Sequence, residues 1–258
     1  QGPLTDRSVE NLGRTDIPVF KGASRPLKGK FTYGYYFHGP DALTVRLPLP
    51  TRRPQLEAAS DYLISKIRER PGELTLVALG PLTNVARAIQ REPRIVEWTK
   101  ELVVMGGAIE APGNITPYAE FNSHNDPEAA ETVFSSSITT ALVGLDVTDH
   151  VFLTSDDRQW ASGESHAARL ARRLTEGWFS ANPTGSHYNP CDPMAILALL
   201  ESKLMTYRQA VVHVETEDLE RRGETTCRYG SGNVRVATAV KAERAREAID
   251  AILGYRRL

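Results

Sequence analysis

The residues best suited to chemistry lie in MGGAIEAPGNITPYAEFNSHNDPEAA, from Met105 to Ala130. Asn114, Glu120 and Asn122 offer two amides and a carboxylate, with Phe121 among them. Hydroxyls both donate and accept hydrogen bonds, so such a set can grip a small polyol. A second group is Cys191-Asp192-Pro193. A carboxylate there can ligate a hard cation or cap a helix, and its several lone pairs allow both. The Cys191 thiol is either a weak proton donor or a small apolar side chain at a helix start. His38 precedes Gly39-Pro40, a turn signal, where a histidine commonly does no more than hydrogen-bond at the surface. Spacing alone is also served by a polar surface loop ahead of a capped helix.

These residues must be held by neighbouring elements. Leu102-Val103-Val104 is a short apolar run and predicts a buried strand. Asp126 is a good N-cap and Pro127 suits a first helical position, so a helix is expected over 127–134. The connection between them is long, as functional connections are. Leu74 to Leu79 predicts a strand buried on both faces, followed by the Gly80-Pro81 turn and a helix over 82–90. With the strand at Leu102 this makes a βαβ unit. Helical spacing of Leu56, Ala59, Leu63 and Ile67 predicts a helix over 55–69. Ile138 to Val147 reads as a long strand, 164–179 as a helix, and Cys191-Asp192-Pro193 as the opening of another. Short strands are expected over 17–20, 210–215 and 233–239, and helices over 5–13 and 242–253. The arginines at 169, 172 and 173 read as a solvated helix face. Alternating strands and helices indicate one α/β domain, with an open, mostly parallel, Rossmann-like sheet and helices on both faces. Ligands of such sheets sit at the carboxyl ends of the strands.

Composition sets the outer bounds. The chain has 258 residues, 41% hydrophobic and 24% charged, with a formal net charge of −1. That is an ordinary globular composition and gives a nucleic-acid partner no electrostatic basis. No apolar run is long enough to span a membrane, and no signal peptide is evident. Two cysteines, Cys191 and Cys227, make no disulfide framework and fit a reducing cytoplasm.

The segment GNITPYAEFNSHNDPEAA, preceded by VVMGGA, resembles the inosine–uridine-preferring nucleoside hydrolase family. LVALGPLTNVARAI resembles a second signature of that family, and DIPVFKGASRPL, HGPDAL, NPCDPMA and GNVRVATAV extend the likeness, in family order, over nearly the whole chain. The resemblance implies hydrolysis of the N-glycosidic bond of ribonucleosides and a bound Ca²⁺. Asp192 and the backbone carbonyl of Leu79 are then calcium ligands. Asn114, Glu120 and Asn122 bind ribose hydroxyls, Phe121 forms a wall under the sugar, and His38 lines the site. The resemblance also implies a homodimer or homotetramer.

Two departures qualify that reading. Many members carry histidine directly before the aspartate, where it helps protonate the departing base. Cys191 stands there in this chain, as in a recognised subgroup, which leaves the leaving-group acid open among Cys191, His187 and Tyr188. The family also opens on an aspartate-rich segment, D-x-D-x-G-x-D-D, that is not found here. The sequence begins at Gln1, and one strand–helix unit, about 30 residues, is expected to be missing from the front. The reading is therefore an N-terminally truncated nucleoside hydrolase domain over 1–258. A non-catalytic nucleoside- or ribose-binding short form and a general sugar-binding domain are the alternatives.

Overall fold

The computed structural model describes residues 2–32, 43–160 and 163–253. His38 and the stretch from Tyr33 to Phe37 lie outside these residues. The main sheet comprises β1 (Thr75–Ala78), β2 (Glu101–Met105), β3 (Thr140–Val143), β4 (Met205–Val214), β5 (Thr225–Tyr229) and β6 (Val234–Val240). Their spatial order is β1-β2-β3-β6-β4-β5. β1, β2, β3 and β6 run parallel, while β4 and β5 are added antiparallel.

The helices used below are α1 (Gly2–Asn11), α2 (Ala59–Glu69), α3 (Thr83–Arg91), α4 (Phe121–Asn125), α5 (Pro127–Phe134), α6 (His166–Ala181), α7 (Cys191–Leu200) and α8 (Ala242–Leu253). The period-two alternation of strands decides which helix covers which face. Leu102, Val104, Leu142 and Val236 pack with Ala86 of α3 and with Val133 and Phe134 of α5. Val103, Met105, Ala141 and Val143 pack with Met194 and Leu197 of α7 and Ile249 of α8. Both faces are therefore covered, and each fully buried Val or Leu contributes about 1.5–3 kcal/mol by leaving water. None of the described helices is long and apolar enough to cross a membrane.

Several expected elements differ. Residues 55–58 are not helical: Gln55–Ala58 pairs as a strand with Phe20–Lys21, and α2 starts at Ala59. The Gln55 N–H donates to the Val19 carbonyl at 2.8 Å, so a sheet bond outcompetes the helical pattern. The strand expected over 138–147 ends at Val143. At Gly144 the chain leaves the strand: the Leu145 N–H donates to the Gly107 carbonyl at 3.0 Å, an approach so close that a Cβ on Gly144 would lie 2.7 Å from that oxygen, and Leu145–Thr148 turns into a short helix. β1 is only half-buried because it is an edge strand, with β2 as its one partner among the described residues. β5 was not expected, since Thr-Thr-Cys-Arg-Tyr carries little apolar alternation; pairing with β4 makes it a strand.

Candidate active site

The loop after β2 is tied down at its start. Asp146, on the short helix after β3, accepts the N–H groups of Ile109, Glu110 and Ala111 at 2.9, 2.6 and 3.1 Å. Its far end is fixed by Asp126. That side chain is wholly buried and caps α5 by accepting the Ala129 N–H, the capping role expected for it. Its other oxygen accepts the Leu27 N–H at 2.8 Å and the Thr83 hydroxyl at 2.6 Å.

Between these anchors, within the long connection expected from the sequence, sits a short helix, α4. Glu120 is its N-cap. The Glu120 carboxylate is 1% exposed and accepts three backbone N–H groups, from Asn122 at 2.8 Å and from Ser123 and Gly107 at 3.0 Å. Burial raises its pKa against the pull of those three donors, and the nearby Asp192 charge raises it further. The two amides are left in complementary states. Asn114 Oδ1 accepts the Phe121 N–H at 2.8 Å, which leaves its NH₂ to donate. Asn122 Nδ2 donates to the Met105 carbonyl at 3.2 Å, which leaves its Oδ1 to accept. A donor and an acceptor beside one carboxylate suit vicinal hydroxyls. Phe121, half-buried, opens α4 between them.

Helix α7 brings the second group. Cys191 is its first residue and packs against the core under β2 and β3. Burial pushes its thiol up to about 12, with the charges of Asp149, Asp192 and Glu120 acting in the same direction. The thiol is thus protonated at neutral pH. Asp192 follows in the first turn but caps nothing: α7 has no side-chain cap, and among the described residues Asp192 has no hydrogen-bond partner. It is exposed by surface area, yet enough protein surrounds the carboxylate to push its pKa up to about 6. Tyr188 adjoins this pair, its hydroxyl pushed up to about 12 by burial, and its ring meets Trp178 edge-on at 5.3 Å.

Glu120, Asn122, Cys191 and Asp192 thus gather at the carboxyl ends of β2 and β3. Leu79 follows β1 at the same end of the sheet, one strand across from Met105. It lines a cavity of about 330 Å³ with Phe20, Tyr62 and Asn84, and neither Asp192 nor Glu120 lines that cavity. His38 lies outside the described residues. Sequence reasoning passes over Asp146 and Asp149, while Trp178 to Tyr188, with Tyr33 to Phe37, is a stretch it offers for the surroundings of the base. The signal was present for the acids: VGLDVTDH places two carboxylates directly after an apolar strand. Among the described residues no three of His, Cys, Asp and Glu converge as metal ligands do.

Comparison with known proteins gives a consistent result. A family model described as inosine-uridine preferring nucleoside hydrolase matches residues 5–247. The chain is 36% identical over 216 residues to probable uridine nucleosidase 1 of Oryza sativa subsp. japonica, covering 81% of this chain and 67% of that protein. It is 35% identical over 216 residues to uridine nucleosidase 1 of Arabidopsis thaliana, covering 81% of this chain and 64% of that one. The chain therefore spans about two thirds of the length of these relatives. Among solved structures, the plant nucleoside hydrolase PpNRh1 superposes with a TM-score of 0.91 at 30% identity, covering 98% of this chain and 85% of that one.

Proposed function

The chain belongs to the inosine–uridine preferring nucleoside hydrolase family, and from that premise we propose that it acts on the N-glycosidic bond of ribonucleosides. Water supplies a hydroxyl to C1′ and a proton to the base, releasing ribose and free base. The observation that carries the proposal is the site around Glu120, with unspent hydrogen-bonding capacity on Asn114 and Asn122 and the Asp192 carboxylate near enough to act on the Glu120 charge.

Bond cleavage builds positive charge on the ribose ring. Glu120 and Asp192 place negative potential beside that charge in surroundings that exclude much of the water, where it stabilises most. Asn114 donates to one ribose hydroxyl and Asn122 accepts from another, and the Phe121 ring supports the sugar. Glu120 keeps lone-pair capacity after its three backbone contacts and takes a further hydroxyl. Cys191 holds a proton near the departing base. A thiol that keeps its proton to about 12 releases it slowly at neutral pH, and the Tyr188 hydroxyl, also held to about 12, does so no more readily, which keeps His187 in contention as the donor. The resemblance implies His38 as a lining residue, and it lies outside the described residues. The names of the plant relatives make uridine the first substrate to test.

The family resemblance implies Ca²⁺, with Asp192 and the Leu79 carbonyl as ligands. Calcium takes six to eight oxygens. The described residues do not supply that shell, and the Leu79 cavity is not lined by Asp192. No step is therefore routed through the ion. The second reading is binding of a ribonucleoside without turnover. Both cysteines are unpaired, which supports the cytoplasm, and the resemblance supports a homodimer or homotetramer.

The test is a reducing-sugar assay on the chain with uridine and inosine, with and without Ca²⁺. Ribose release supports the hydrolase. Binding without release supports the second reading. Neither binding nor release removes both.

A further inference from the structure

The site loop is gripped from outside by the turn of the β4–β5 hairpin. Glu215 and Glu224 close that turn through their backbones at 2.9 Å, and the Gly223 N–H donates to the Glu215 carbonyl at 2.8 Å. Four contacts then reach the loop. Ala119 bridges Glu224 as an isolated antiparallel pair. The Arg221 guanidinium lies over the Tyr118 ring, 4.4 Å from its centre. Arg222 Nη2 reaches both Glu128 oxygens at 2.6 Å. Gly223, at φ +85°, presses so close to α4 that a Cβ would sit 2.6 Å from His124 Cα. Glu120, Phe121 and Asn122 fall between these contacts.

We propose that this turn is a clamp that sets the position of the ribose-binding loop, with Arg222 and Gly223 as positioning residues. The inference rests on the reading of Asn114, Glu120 and Asn122 as the ribose site for its kinetic consequence only. Packing explains the grip: His124 is hydrogen-bonded to Glu120 through the backbone at 2.8 Å, so displacing it moves the cap that holds Asn122. One guanidinium nitrogen shared between both carboxylate oxygens is a short charge-assisted contact, stronger than a neutral hydrogen bond. Arg222 and Glu128 are each about one-fifth exposed, which keeps their pairing from being lost to solvent.

The test uses Arg222→Met, Glu128→Gln and the exchanged pair Arg222→Glu with Glu128→Arg. Glu128→Gln leaves the internal bonds of the hairpin turn intact, so it reports on the clamp even where Arg222→Met loosens the turn itself. Amide hydrogen exchange is read first, because it needs no activity. Exchange over 119–125 is expected to rise about tenfold in both single variants while β2 and β3 stay protected, and to recover in the exchanged pair. KM for uridine is then expected to rise roughly fivefold with kcat changed less than twofold, and discrimination against 2′-deoxyuridine to fall. Unchanged exchange over 119–125 in both single variants overturns the clamp. Raised exchange with unchanged KM, in a chain that turns uridine over, overturns its role in positioning substrate. If the unsubstituted chain neither binds nor cleaves uridine, the functional reading fails while exchange still decides the clamp.

Discussion

Glu120 accepts the N–H of Gly107, thirteen residues earlier in the chain, while also capping its own helix α4. One carboxylate therefore joins the end of β2 to the loop that follows it. Replacing it by glutamine puts an NH₂ against backbone donors. Glu120→Gln is expected to lower stability by about 1–3 kcal/mol, the cost of a buried donor left unsatisfied. It should also raise KM for uridine strongly, because a charge-assisted contact to a hydroxyl is lost. Denaturant titration and steady-state kinetics check the two effects. Unchanged kinetics would remove Glu120 from the site.

Asp192 has no hydrogen-bond partner among the described residues, so its carboxylate contributes nothing visible to folding. Asp192→Asn should hold or raise stability at neutral pH, because a carboxylate pKa pushed up to about 6 means that ionisation disfavours the fold. Ribose release should nevertheless fall by orders of magnitude. A melting curve beside an activity measurement separates the two. A variant that unfolds, or one that keeps full activity, contradicts the assignment.

Cys191 is packed against the core, and truncating it to alanine should cost on the order of 1 kcal/mol from lost contacts. If the thiol delivers the proton, Cys191→Ala slows a purine nucleoside more than an aryl riboside whose leaving group needs no proton. Equal losses on the two substrates assign the residue to packing alone.

The pH dependence of stability should show Asp157. Burial raises its pKa, but Arg246 and the N–H and hydroxyl of Thr154 outweigh burial and hold it below the usual aspartate value. A carboxylate with a depressed folded pKa stabilises fully above its unfolded value, about 3.9, and loses that contribution as pH falls through the folded value. Thermal melts between pH 7 and pH 2 should therefore decline steeply below about pH 4 in the parent chain. Asp157→Asn should melt lower at pH 7 and show a shallower acid decline. Parallel curves for the two proteins would contradict this.

The fold was legible where periodicity is strict. Leu102 and Val104 against Val103 and Met105 announce a strand covered on both sides, and Asp126-Pro127 announces the start of α5. Illegible features depend on partners distant in sequence. Gln55–Ala58 becomes a strand because Val19 and Phe20 lie alongside it. β3 gives way at Gly144, where the Leu145 N–H turns to the Gly107 carbonyl. In the site, the residue types of the loop were visible, but the hold of Glu120 on Gly107 and of Asp146 on residues 109–111 was not. No local pattern records which backbone N–H a buried carboxylate will find. Cys191 and Asp192 were visible as a pair, whereas their meeting with Glu120 follows from the packing of α7 under β2.

The claim on which the account depends is that the loop from Asn114 to Asn122 grips ribose. Calorimetric titration of uridine into the parent chain and into Asn122→Ala tests it most directly. The account predicts saturable binding to the parent, and binding at least about tenfold weaker in the variant through loss of a hydroxyl contact worth about 1.4 kcal/mol. Equal affinity in the two proteins would contradict it.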